Sequence, residues 1–171
     1  DERVGLKLLV AKMLNEPVPG GSRWAYVFGS VLLFIFIMQT VTGVLLMFYY
    51  VPTADHAYAS TQYILHDVDY GWFLLSYHFW GSTAMVVCVF AHMSQVFLWG
   101  AYKKPRELIW LVGLALFGIV MGFGFTGYLL PWDQRAYWAT TVGVEIMDKT
   151  PVIGDFIARF LKGGATPGQM T

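Results

Sequence analysis

The chain has 171 residues, 57% of them hydrophobic and 18% aromatic, with 13% charged and a formal net charge of zero. Soluble domains carry about 25% charged residues; the deficit points to lipid as the solvent, and the even charge balance gives no footing for nucleic acid or an acidic partner. The single cysteine, Cys88, excludes an internal disulfide and the paired-cysteine motif of covalent c-type haem.

The opening, DERVGLKLLVAKML, is amphipathic and does not read as a secretory signal. Arg3, Lys7 and Lys12 mark the polar side of an interfacial helix within residues 1–22. The absence of an initiator Met implies that the true N-terminus lies upstream. Residues 23–130 then hold three apolar runs, each long enough to cross a bilayer at about 20 residues per span. The first runs from about Trp24 to Tyr50, and Pro52 blocks its continuation. The second covers about 71–99, and the third about 108–130, where Pro131 ends it. Tyr49, Tyr50, Trp72, Trp99, Trp110 and Trp132 sit at the ends of these runs, as headgroup-level aromatic belts do. Residues 131–171 read as two short surface helices, DQRAYWATTVGVEIMDK and PVIGDFIARFLKG, followed by a loop. The fold class is all-α, a multi-pass transmembrane helical bundle.

Charge orients the spans. Arg3, Lys7, Lys12 and Arg23 precede the first, and Lys103, Lys104 and Arg106 fill the turn after the second. The loop over 51–70 has no Lys or Arg but holds Asp55, Asp67 and Asp69. Short basic loops stay on the cytoplasmic side. The N-terminus and the KKPRE turn are therefore expected there, with residues 131–171 on the outer side.

Two of the four histidines, His78 and His92, lie inside the second span, fourteen residues apart. On a helix that is ~40° short of whole turns and ~21 Å of rise, so both rings share a face, one in each leaflet. His56 and His66 fall in the outer loop and read as solvated. A lone intramembrane His often bonds a neighbouring helix, but ionisable groups in lipid are rare and usually functional. Two on one face point to axial ligation of haem iron, since bundle cofactors are held from facing helices. Gly29 and Gly43 in the first span repeat the fourteen-residue spacing, and so do Gly113 and Gly127 in the third. Glycine leaves room where a flat macrocycle approaches the backbone. Gly118 and Gly122 read instead as simple helix packing. The orientation sets Gly29 and Gly113 beside His92 and Gly43 and Gly127 beside His78.

The stretches RWAYVFGS, QTVTG-x5-YY-x-P, GW-x5-H-x13-H, YKKPREL-x-W, FTGYLLPWDQ-x2-YWA and PVIGDFI extend over nearly the whole chain. Through them it resembles cytochrome b of the quinol-oxidising bc and bf complexes, on the bf-type side. The resemblance implies two b-type haems, with His78 ligating the low-potential haem on the outer side and His92 the high-potential one on the inner side. It implies an outer quinol pocket lined in part by Phe125, Tyr128, Trp138, Ala139, Thr140 and Val142, and a second quinone site near the cytoplasmic face. It further implies a Rieske-type iron–sulfur protein, a c-type cytochrome subunit, the remaining cytochrome b helices and membrane lipid as partners, in a homodimeric complex of an energy-transducing membrane such as the bacterial inner membrane.

Departures from the family pattern carry expectations of their own. Leu75, Phe79 and Gln95 stand where arginines are usual, so charge neutralisation of the haem propionates falls to other groups. Ile35 replaces the cysteine that attaches an extra haem in the bf type, so no third, covalent haem is expected. Ala139 stands where many bc-type chains have glycine, and its methyl is expected to crowd strobilurin-type inhibitors. The family's fourth helix, which brings the second ligand of each haem, would begin near Thr171, so the second axial ligands are expected outside this chain. A di-haem membrane anchor of a dehydrogenase or hydrogenase shares the cofactor but not the PWDQ–YWA segment. A haem-free structural or transport subunit has no use for the matched glycine spacing.

Overall fold

The structure is a computed structural model that describes Ala11, Asn15 and residues 26–152 and 154–162, the side chains of 160–162 excepted. The expected interfacial helix over 1–22 with Arg3, Lys7 and Lys12, the flanking Arg23 and Trp24, and the closing loop from Gly163 lie outside the described residues. Among these residues the chain is all-helical. Helix α1 covers Val27–Met47, α2 Ala57–His66, α3 Gly71–Leu98, α4 Glu107–Leu129, α5 Gln134–Asp148 and α6 Gly154–Lys162.

Helices α1, α3 and α4 are the three long enough and apolar enough to cross a membrane. Only 11%, 6% and 0% of their most apolar windows are buried within the chain, so nearly all of that apolar surface faces outward. A protein in water rarely exposes apolar patches beyond a few hundred Å². This is an integral membrane protein whose spans use lipid as their solvent.

The helix ends follow from local chemistry. Tyr49 N–H and Tyr50 N–H both turn back to Leu46 O, closing α1 before Pro52. α3 ends in a left-handed turn at Gly100 (φ +64°), where a side chain would be strained. There Gly100 N–H donates to Phe97 O and Ala101 N–H to Val96 O, both at 3.0 Å, which satisfies carbonyls of the last turn. α5 begins at Asp133, whose carboxylate accepts from Ala136 N–H at 2.7 Å. Asp133→Ala is expected to cost about 1 kcal/mol, read as a lower thermal unfolding midpoint in detergent.

Residues 51–70, expected as loop, instead hold a helix. Residues 57–66 form α2, with Ala57, Ser60 and Ile64 buried at helical spacing toward α3. The stripe has a single large apolar residue, Ile64, beside a small and a polar one, so it leaves only a weak apolar signal. His56 and His66 are exposed, His56 bonding Thr53 Oγ1 at 3.1 Å. The second surface helix starts at Gly154, not at Pro151, because Gly154 lies directly against the carbonyls of Met147 and Asp148 where α6 folds back on α5. α6 packs on α5, and Ala136, Thr140, Val144 and Ala158 on these helices are buried.

α1 packs mainly on α3, whereas α4 contributes no buried residue. α4 is tied to the others by the Phe90–Phe117 ring contact (centroids 5.2 Å apart) and by Tyr50 Oη–H donating to Leu130 O at 2.7 Å. That last bond joins the C-terminal ends of α1 and α4, so α2, α5 and α6 lie at one end of the bundle and the turn after α3 at the other.

Candidate functional site: two histidines between antiparallel spans

α1 and α3 run antiparallel, and the register between them is set by absent side chains. A Cβ built on Gly81 of α3 would collide with Gln39 Nε2 and lie 2.5 Å from Met38 Cε of α1. The crossing is that close. One step toward the Tyr50 end of the bundle, a Cβ on Gly43 would sit 3.2 Å from His78 Cε1 and 3.9 Å from its Nδ1. Toward the opposite end, a Cβ on Gly29 would sit 3.9 Å from His92 Cε1. Fourteen residues forward on α1 match fourteen residues back on α3. The two imidazoles are thus half-buried against glycines of α1, about 21 Å apart along the axis.

Around His78 the α1 backbone and side chains form a cradle. Gln39 Nε2–H donates to His78 O at 2.8 Å. Thr42 Oγ1 lies 2.8 Å from His78 Nδ1 and also bonds Met38 O at 2.8 Å. Thr42 is 6% exposed. Among the described residues no hydrogen bond reaches Nε2 of His78. His92 differs: its Nδ1 is buried without a partner, as are Gln39 Oε1 and Gln95 Oε1. In the sequence Thr42 and Gln39 are marked only as members of the QTVTG stretch. A threonine in a helix bonds its own preceding turn so commonly that nothing singles it out beforehand.

The third-span glycines are placed differently. No described heavy atom lies within 4 Å of a Cβ added at Gly113 or Gly127. Where Gly29 and Gly43 make room for an imidazole ring, Gly113 and Gly127 border open space. Gly118 and Gly122, expected to be packing glycines, also meet nothing within 4 Å. Ile35 is buried at 7% exposure.

The six residues expected to line an outer pocket are divided by the structure. Thr140 is 2% exposed, in line with Ala136 and Val144 on the buried face of α5, its hydroxyl donating to Ala136 O at 2.8 Å. Trp138 and Val142 are exposed, as is Tyr128 at the end of α4. Phe125 packs on Gly143, with Ala139 half-buried on the neighbouring turn. These residues share the α4–α5 corner, some on its buried side and some exposed.

No group of three or more His, Cys, Asp or Glu that could hold a metal ion gathers among the described residues. The donors are single imidazoles, which suits an iron whose macrocycle already fills its equatorial positions. At His78 an Nδ1 anchored by a hydroxyl and an unengaged Nε2, and at both histidines a glycine clearance on α1 and apolar surroundings, fit a haem beside each ring.

Residues 13–171 match the protein family described as Cytochrome b/b6/petB. Cytochrome b6 of Cyanothece sp. (strain PCC 7425 / ATCC 29141) is 40% identical over 171 residues, covering 100% of this chain and 77% of that protein. Cytochrome b6 of Mastigocladus laminosus is 41% identical over 170 residues, 99% of this chain and 79% of the relative. Among solved structures, a chain of a hyperthermophilic respiratory Complex III superposes with a TM-score of 0.84 at 29% identity. The match covers 99% of this chain and 46% of that one, so the chain spans a little under half of that structural relative.

Proposed function

The chain belongs to the cytochrome b/b6 family, and from that premise we propose that it is the di-haem electron-carrying part of a quinol-oxidising complex. The observation that carries this reading is the antiparallel α1–α3 register, which sets Gly43 on the His78 ring and Gly29 on the His92 ring. In it, His78 and His92 each offer Nε2 as an axial ligand to one b-type haem. Gly29, Gly43, Gly113 and Gly127 keep side chains out of the two haem levels. When bound, the haems supply reversible one-electron iron chemistry across the bilayer, from an outer quinol site to a quinone on the opposite side.

With only two of the four histidines in spanning helices, the second axial ligands come from residues outside these 171. The outer quinol site draws on the α4–α5 corner: Phe125, Tyr128, Trp138, Ala139, Thr140 and Val142. Thr140 serves there through α5 packing, since its hydroxyl is engaged with Ala136 O, while Trp138, Tyr128 and Val142 present exposed apolar surface to a quinol ring. Lys103, Lys104 and Arg106 support a cytoplasmic α3–α4 turn, and a cytoplasmic N-terminus with it, in a bacterial energy-transducing inner membrane. A Rieske-type iron–sulfur protein, a c-type cytochrome and a second copy of the complex complete the assembly.

Redox-difference spectroscopy of the complete complex tests this. Two b-type α-band components reducible by added quinol are expected, and the absence of any b-haem signal would overturn the reading.

A further inference from the structure

His78 and His92 sit in different hydrogen-bonding settings. The Thr42 hydroxyl is 2.8 Å from Met38 O and 3.2 Å from Gln39 O, both in the preceding turn of α1. A hydroxyl has one proton and two lone pairs. With its proton directed to the preceding turn, Oγ1 meets His78 Nδ1, 2.8 Å away, as an acceptor. Nδ1 then carries the ring proton and Nε2 keeps its lone pair, which is the tautomer that binds iron. Thr42 is buried, so water does not compete for this bond. The neighbouring Gln39 amide fixes the His78 backbone from the same stretch of α1. Nothing equivalent reaches His92, whose Nδ1 is buried and unpartnered among the described residues.

We propose that Thr42 is a positioning residue that fixes the iron-binding tautomer of His78 and, through the chain Nδ1–H···Oγ1–H···O=C, makes His78 a stronger iron donor than His92. The consequence is a difference in potential between two otherwise similar haem sites. A hydrogen bond accepted from the far nitrogen raises the basicity of a ligating imidazole, and a more basic axial donor favours the oxidised iron. Hydrogen bonding beyond the axial ligand is one of the protein's levers on haem potential. Thr42 thereby lowers the midpoint of the haem on His78, the one that the family resemblance already makes the low-potential haem. This inference rests on the di-haem reading above.

The test is Thr42→Val in the complete complex, with Thr42→Ser beside it. Valine keeps the shape and removes both bonds, leaving Nδ1 of His78 in the state of His92. Potentiometric titration is expected to show the lower b-haem midpoint moving up by about tenfold in the reduction equilibrium, ~59 mV for one electron, with the higher one unchanged. Serine keeps the hydroxyl and restores the original midpoint. If the valine variant assembles without haem, Thr42→Cys carries the test, because a thiol is a weaker acceptor and gives a smaller rise in the same midpoint. Unchanged midpoints, equal shifts in both, or failure of serine to restore the value would overturn the proposal. A wild-type complex with no b haem would instead overturn the di-haem reading itself.

Discussion

Replacing His92 by leucine is expected to leave the complex with one b haem, halving the haem extracted per complex. Quinol turnover should fall by more than about 100-fold, since even losing a partner of a metal ligand costs 10–100-fold. His78→Leu is expected to remove the other haem with a similar loss. His56→Leu and His66→Leu provide the contrast, because both side chains are exposed outside the spanning helices, and neither should alter haem content. Pyridine-haemochrome counting with a quinol-oxidation assay reads all four variants. Retention of two haems in either spanning-helix variant would remove that histidine from the ligand set.

The second large effect is expected at Gly43. A side chain there begins 3.2 Å from His78 Cε1, and the ring is held in place by the Thr42 bond at Nδ1. Gly43→Val must push the ring off that bond or separate α1 from α3. Overpacking of this kind costs about 1–3 kcal/mol, and the larger loss is of the haem at His78. Gly113→Leu makes a sharper companion. A Cβ there meets no described heavy atom within 4 Å, so a larger side chain reports on what occupies that space. Loss of the haem at the His92 level, with the three spans still inserted, is the expected outcome. Full haem content in Gly113→Leu would mean that the open space faces lipid.

The three spans were legible because lipid demands long uninterrupted apolar runs, and the prolines at 52 and 131 limit two of them. The side-by-side placement of Gly43 with His78 and of Gly29 with His92 was legible too. It needs only a shared spacing and antiparallel neighbours joined across a loop. What the sequence concealed was chemistry carried by ordinary residues. Ala57, Ser60 and Ile64 make a helical stripe with only one large apolar residue, too short a pattern to stand out. Thr42 resembles any threonine bonding its own helix until a ring from another span arrives at 2.8 Å. At the α4–α5 corner, resemblance grouped six residues that helical periodicity separates. Thr140 repeats at four-residue intervals with buried Ala136 and Val144, while Trp138 and Val142 share the exposed side. Motif membership does not say which way a side chain points; spacing along the helix does.

The bond from the Tyr50 hydroxyl to Leu130 O spans 80 positions of the chain. Leu130 lies at the end of α4, just before Pro131, which has no N–H to give. The tyrosine comes from the end of the first crossing and its acceptor from the end of the third. The latch cannot close until the third crossing is complete. A chain stalled after two passages, or with its third segment inserted the wrong way round, leaves the phenol without that acceptor. Tyr50 thus gives the finished topology a contact that partially inserted intermediates lack, at the end of the bundle where α5 and α6 must settle.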